Sequence, residues 1–127
     1  MKRIIKTDKA PPAVGPYSQA VRIPCKELLF CAGQIPLDPA TQQMVKGDIA
    51  VQTRQVLNNV KGLLEAAGTN LSHVVKTTVF LTSMADVKAM NAVYEAFFPT
   101  DPPARSAVAV KELPLGAQVE IEVLAYL

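Results

Sequence analysis

The sequence predicts one α+β domain in which two helices cover one face of a β-sheet. Two segments repeat apolar residues at helical spacing, one from Ile49 to Ala67 and one from Val87 to Phe98. Segments rich in β-branched or alternating apolar residues precede, separate and follow them, giving the order strands, helix, strand, helix, two strands. The chain has 127 residues, 50% hydrophobic and 19% charged, which suits one core and leaves no room for a second domain. Surface scaling buries about two thirds of a chain this long, enough for a core without disulfide or metal staples. Residues 1–127 therefore read as a single domain, and no repeat or low-complexity stretch interrupts them.

Each element has a local reason. Ile4 and Ile5 mark a short extended piece, and Pro11, Pro12, Gly15 and Pro16 forbid a helix after it. Tyr17 to Arg22 reads as a short strand ended by Pro24, and Glu27 to Ile35 as a longer apolar one. Gly33 inside that run marks a bulge or a close approach to the backbone. Pro36 to Gln43 is a turn region. Asp48 is placed to cap a helix whose apolar positions are Ile49, Val56, Leu57, Val60, Leu63, Leu64 and Ala67, with Gly68 closing it. His73 to Thr82 is β-branched and strand-like. Ser83 and Asp86 resemble a capping box ahead of a helix with the stripe Val87, Met90, Val93, Tyr94, Phe97 and Phe98, which Pro99 ends. Ala104–Lys111 and Gln118–Tyr126 alternate as strands, and Pro114 and Gly116 between them suggest a hairpin. Two helices cover one sheet face only. The other face still carries apolar residues, so a second subunit is expected to bury it.

Composition removes several function classes. Thirteen Lys+Arg against 11 Asp+Glu give a net charge of +2, without the basic excess of a nucleic-acid binder, and the absence of Trp leaves little for base stacking. One histidine, His73, and two cysteines, Cys25 and Cys31, are too few for a zinc or iron–sulfur site built on those ligands. The cysteine spacing is neither C-x-x-C nor a zinc pattern, so two reduced thiols in a cytoplasmic protein are expected. Lys6 and Asp8 break the first apolar stretch before it becomes a signal segment, and no apolar run approaches the ~20 residues of a membrane span.

Phosphate-loop, dinucleotide, serine-hydrolase and zinc-protease motifs are absent. A Ser-His-Asp or Cys-His arrangement would depend on His73, at the start of a predicted strand. More informative is the alternation in the last two strands. It sets Arg105, Ala107 and Ala109 on one face and Ser106, Val108 and Val110 on the other. An arginine beside small side chains has room for a ligand, and its planar fork suits a carboxylate. Glu120 and Glu122 point opposite to Val119, Ile121 and Val123; a carboxylate facing the Arg105 pocket could hold a water or accept its proton. The same alternation also describes a solvated polar face with an Arg–Glu surface pair.

Several stretches, in order along nearly the whole chain, resemble the RidA (YjgF/YER057c/UK114) family. They are Ala13–Ala20, Ala32–Pro36, Asn58–Lys61, Glu65–Gly68, Val75–Phe80, Asn91–Phe98, Pro103–Ser106 and Val119–Glu122. The resemblance implies a chorismate mutase-like (Bacillus type) mixed sheet of about six strands backed by two helices. It also implies a homotrimer around a central barrel, with sites in the clefts between subunits. The implied activity is hydrolysis of 2-iminobutanoate and 2-iminopropanoate to 2-oxo acids and ammonia without a cofactor, protecting pyridoxal-phosphate enzymes. Arg105 matches the family's carboxylate-binding arginine and Glu120 the glutamate that holds the attacking water; Tyr17, Gly33 and Asn91 match positions near the ligand. Many deaminases carry Cys where this chain has Ala107, and Ser where it has Ala32, so Ala107 is expected to alter the fit of the pocket. The resemblance leaves two alternatives, a ribonuclease or translation-inhibitor activity and a metabolite-binding trimer with weak turnover.

Overall fold

A computed structural model describes all residues 1–127. Six strands form: β1 (Arg3–Ile5), β2 (Ala20–Arg22), β3 (Leu28–Phe30), β4 (Val74–Leu81), β5 (Ala104–Ala109) and β6 (Val119–Tyr126). Two helices, α1 (Ile49–Ala66) and α2 (Val87–Phe97), complete the domain. The α1 start follows its sequence signal, because the Asp48 carboxylate accepts from the Val51 amide at 3.0 Å. Along α1 the residues Ile49, Thr53, Val56, Leu57, Val60 and Leu64 are buried, the three-and-four spacing of one face. Gly68 stands at φ +84°, the left-handed conformation that ends helices.

At α2 the local signal misplaces the start. Ser83 caps a single 3₁₀ turn, Met84–Asp86, by accepting from the Ala85 amide, and the helix begins at Val87. Asp86 makes no side-chain cap bond. The helix buries Met90, Val93 and Tyr94 and ends before Pro99, as its stripe implies.

Strand pairing corrects the predicted terminal hairpin. β5 and β6 do not pair; the order is β3-β6-β4-β5, with β4 and β5 parallel and β6 antiparallel to both β3 and β4. A parallel pair needs a crossover, which α2 supplies by leading from β4 back to β5. That leaves the other edge of β4 free, and β6 takes it. A proline and glycine between two strands do not distinguish a hairpin from a loop that passes around a neighbouring strand.

The expected six strands are present, divided into a four-stranded sheet and the antiparallel pair β1–β2. One bridge, Ser18 to Ala104, joins the N-terminal segment to edge strand β5, and the Ser18 amide donates to the Pro103 carbonyl at 3.1 Å. The predicted strands at Tyr17–Arg22 and Glu27–Ile35 shorten to three residues each. In the second, a bulge interrupts the ladder. Cys31 bonds to Val123 and Gln34 to Ile121, so three steps on one strand oppose two on β6. Gly33 sits in that bulge.

The core lies between α1, α2 and the sheet, where Val56, Leu57, Val60, Leu64, Val79, Leu81, Met90, Tyr94, Val119 and Ile121 are fully buried. Each such aliphatic side chain contributes about 1.5–3 kcal/mol. The opposite sheet face has no covering layer within the chain. Phe30 is 75% exposed and Val108 45% exposed there. Lys76, Thr78, Glu120 and Glu122 share that face by register.

Candidate active site

Arg105 lies on edge strand β5, facing the helices. Alternation sets Ala107 on the same side, partly buried against the core, while Ser106 and Val108 face the open side. In the β4–β5 ladder Arg105 stands opposite Thr77. The helix α2 crosses above, so Asn91 and Tyr94, three residues apart on one helix face, both reach the guanidinium. Arg105 Nη1 donates to Asn91 Oδ1 at 2.7 Å. Its Cζ lies over the Tyr94 ring, 4.9 Å from the centroid, and over the Tyr17 ring at 5.6 Å.

The segment leading to Tyr17 closes the third side. The Tyr17 amide donates to the Gly15 carbonyl at 2.8 Å, and the Tyr17 hydroxyl accepts from the Val14 amide at 3.2 Å. A Cβ at Gly15 would lie 3.7 Å from Arg105 Nη2, so this tight turn runs directly beside the guanidinium. A cavity of about 860 Å³ between the N-terminal arm and residues 101–102 shares Tyr17 as part of its wall.

The electrostatics of this cluster are one-sided. Arg105 is half-buried, and burial lowers its pKa while Tyr94 and Tyr17 oppose that shift. Its neighbours are an amide and two phenols, and no carboxylate is among the groups that act on it. A guanidinium offers five donors, and Asn91 takes one. A partly desolvated cation with neutral partners and free donors can receive an anion, and its planar fork suits a carboxylate.

Glu120 is elsewhere. It lies on β6 between the buried Val119 and Ile121 and projects from the open face. Its side chain lies against the Gly33 bulge, where a Cβ on Gly33 would come within 2.9 Å of Glu120 Cδ and 3.1 Å of Cγ. The close approach expected at Gly33 is thus the Glu120 carboxylate itself.

A pocket formed by Arg105 and Glu120 of the same chain does not exist. Arg105 pairs with Thr77 and Glu120 with Phe80 on the shared neighbour β4. Residues an odd number apart on an unbulged strand segment point to opposite faces. The candidate residues fall into two groups: Arg105, Asn91, Tyr17 and Ala107 on the helix side at the β5 edge, and Glu120 with Gly33 on the open side. Asn91, expected near a ligand, is the residue that holds Arg105. Tyr94 and Thr77 were readable only as core; the available signal was a phenol and a hydroxyl at fully buried positions, where each needs a partner.

Other candidates are occupied by structural contacts. His73 stacks on Tyr126 with centroids 4.3 Å apart, and its Nδ1 lies 3.1 Å from Thr69 Oγ1. Both cysteines are free, and burial pushes the Cys31 thiol up, away from its nucleophilic form. No helix is long and apolar enough to cross a membrane.

The chain is similar to known proteins over nearly its whole length. The model of the family described as Endoribonuclease L-PSP matches residues 7–127. The chain is 52% identical over 126 residues to a RutC family protein of Pyrococcus horikoshii, covering 99% of this chain and 98% of that one. It is 42% identical over 125 residues to human 2-iminobutanoate/2-iminopropanoate deaminase, covering 98% and 90%. Among solved structures, the Rid-family protein YyfB of Yersinia pestis superposes with a TM-score of 0.91 at 34% identity, covering 99% and 98%.

Proposed function

The chain belongs to the Rid family, whose Endoribonuclease L-PSP model spans residues 7–127, and from that membership we propose a hydrolytic deaminase of 2-imino acids. The substrates we assign are 2-iminobutanoate and 2-iminopropanoate, named for the human relative, and the products are the 2-oxo acids and ammonia. The observation that carries the reading is Arg105, a half-buried guanidinium held by Asn91 and two aromatic rings and lacking a carboxylate of its own. A small 2-imino acid supplies that carboxylate.

Arg105 binds the substrate carboxylate through the donors Asn91 leaves free, with Tyr17 and Ala107 bounding the pocket. Glu120 orients a water toward the imine carbon and takes one of its protons as the C–O bond forms. The C=N electron pair moves to nitrogen, which takes that proton from Glu120, giving a neutral amino-alcohol adduct and restoring the carboxylate. Glu120 then takes the adduct's hydroxyl proton as the C=O bond forms and the C–N bond breaks, and passes it to the departing nitrogen, which leaves as ammonia. Imines hydrolyse in water unaided, so orientation supplies most of the acceleration.

Since one chain holds Arg105 and Glu120 on opposite sheet faces, the proposal includes a second copy: the open faces pack together in a homotrimer and bring Glu120 of one copy to Arg105 of the next. The exposed Phe30 and Val108 on that face support this packing. The test is a threonine dehydratase reaction trapped with semicarbazide. The protein is expected to reduce trapped imine, Arg105→Ala to abolish the effect, and an unchanged trap yield with the unmodified protein would overturn the assignment. The competing metabolite-binding reading shares Arg105; tight binding of 2-oxobutanoate without loss of trapped imine would establish it instead. A ribonuclease reading requires steeply salt-dependent RNA binding, against a net charge of +2.

A further inference from the structure

The buried pair beneath Arg105 does more than fill the core. Tyr94 and Thr77 are both fully buried, and their hydroxyl oxygens lie 2.7 Å apart. Thr77 stands on β4 directly across from Arg105, while Tyr94 comes down from α2, so the hydroxyl contact ties helix to strand beneath the guanidinium. A phenylalanine–valine pair would pack the same volume without desolvating two hydroxyls. What the hydroxyls add is a fixed ring: an aromatic side chain in a core can tilt about its bonds, and a hydrogen bond at its far end removes that freedom. The ring so fixed is the face on which the Arg105 Cζ rests, at 4.9 Å.

We propose that Tyr94, anchored by Thr77, is a positioning residue that sets the plane of the Arg105 guanidinium for carboxylate recognition. A free arginine side chain samples many rotamers, and a bidentate contact requires one orientation of the fork. Asn91 fixes one terminal nitrogen, and a single hydrogen bond leaves rotation about it open. The Tyr94 ring, with the Arg105 Cζ over its face at 4.9 Å, supplies a second contact that opposes that rotation. Asn91 and Tyr94 therefore act as two constraints from one helix. The phenol remains neutral, since burial pushes it up to about 12.

The inference rests on the carboxylate-receptor reading of Arg105, and the experiment separates the two. The variants are Tyr94→Phe, Thr77→Val, their double and Thr77→Ser. The first readout needs no ligand: the Arg105 Nε–H signal and its order parameter by nuclear magnetic resonance. These are expected to show a more mobile guanidinium in Tyr94→Phe and Thr77→Val, and wild-type behaviour in Thr77→Ser, which keeps the hydroxyl. The second readout is KM against kcat for the imine and Kd for 2-oxobutanoate. Loss of one hydrogen bond is expected to raise KM and Kd about 3–10-fold with kcat less affected. The double variant is expected to be no worse than either single one, because both remove the same contact. An unchanged Arg105 signal in both single variants overturns the proposal, as do additive effects in the double. If the signal changes while wild type neither binds 2-oxobutanoate nor turns over imine, the receptor reading fails and the positioning of Arg105 stands. Thr77→Ser and Thr77→Val carry the test alone should Tyr94→Phe not fold.

Discussion

Replacing Gly33 with Ala isolates the placement of the Glu120 carboxylate from the fold. Gly33 does not occupy the left-handed region, so alanine fits its backbone without strain. What the added methyl meets is Glu120: its Cβ would lie 2.9 Å from Cδ and 3.1 Å from Cγ, where ordinary carbon contacts begin near 3.4 Å. The carboxyl end is the flexible part of the pair and moves, by a distance on the order of 1 Å. Misplacing a catalytic group by about 1 Å costs on the order of 10²-fold, equivalent to about 2.7 kcal/mol in the barrier. Stability is expected to change little, because Gly→Ala restricts the unfolded chain by about 0.4–1 kcal/mol and offsets the local adjustment. The assay is trapped imine per unit time, alongside a urea melt at fixed protein concentration. Gly62→Ala is the control: nothing lies within 4 Å of its added Cβ, it is inside α1, and it is expected to stabilise by about 1 kcal/mol at full rate. A folded Gly33→Ala protein with wild-type kcat refutes the role given to Glu120 at that position.

Three further outcomes are expected. Arg105→Lys keeps the charge and loses the planar fork, so KM for the imine is expected to rise about tenfold or more while the fold persists; an unchanged KM would remove the bidentate contact. Thr53 is fully buried on α1 and its hydroxyl has no partner, so Thr53→Val is expected to raise stability by about 1 kcal/mol, read as a higher urea midpoint at constant slope; a loss of stability would mean the hydroxyl is satisfied. The Tyr94 phenol sits at about 12 in the folded protein against about 10 when unfolded, so the folded state keeps a proton that the unfolded state releases first. Stability is then lost as pH rises from 10 to 12, by about 2–3 kcal/mol, and Tyr94→Phe is expected to flatten that part of the curve; an identical slope in the variant would contradict the assignment.

The sequence carried the helices and the chemistry further than the pairing. Asp48, the apolar spacing and Gly68 define α1 because helix signals are local. Pairing is not local: Pro114 and Gly116 indicated a reversal, and nothing near them records that β4 already lies between the two strands. Gly33 was legible as a close approach, but the identity of the approaching group required the register of β6. Alternation assigned Arg105 and Glu120 to faces within their own strands, and only the β4 ladder relates one strand's faces to the other's. The fully buried Tyr94–Thr77 contact was hidden because a tyrosine in an apolar stripe and a threonine in a β-branched run are ordinary core residues in sequence.

The central claim is that the active site joins Arg105 of one copy to Glu120 of another. Chains carrying Arg105→Ala and chains carrying Glu120→Gln, each inactive alone, are to be unfolded together, refolded at equal ratio and assayed for imine loss. In a randomly mixed ring each interface draws one residue from each neighbour, so about a quarter of the sites are intact and about a quarter of wild-type activity is expected. A mixture as inactive as its components, with mixed oligomers demonstrated by mass spectrometry, would contradict the shared site.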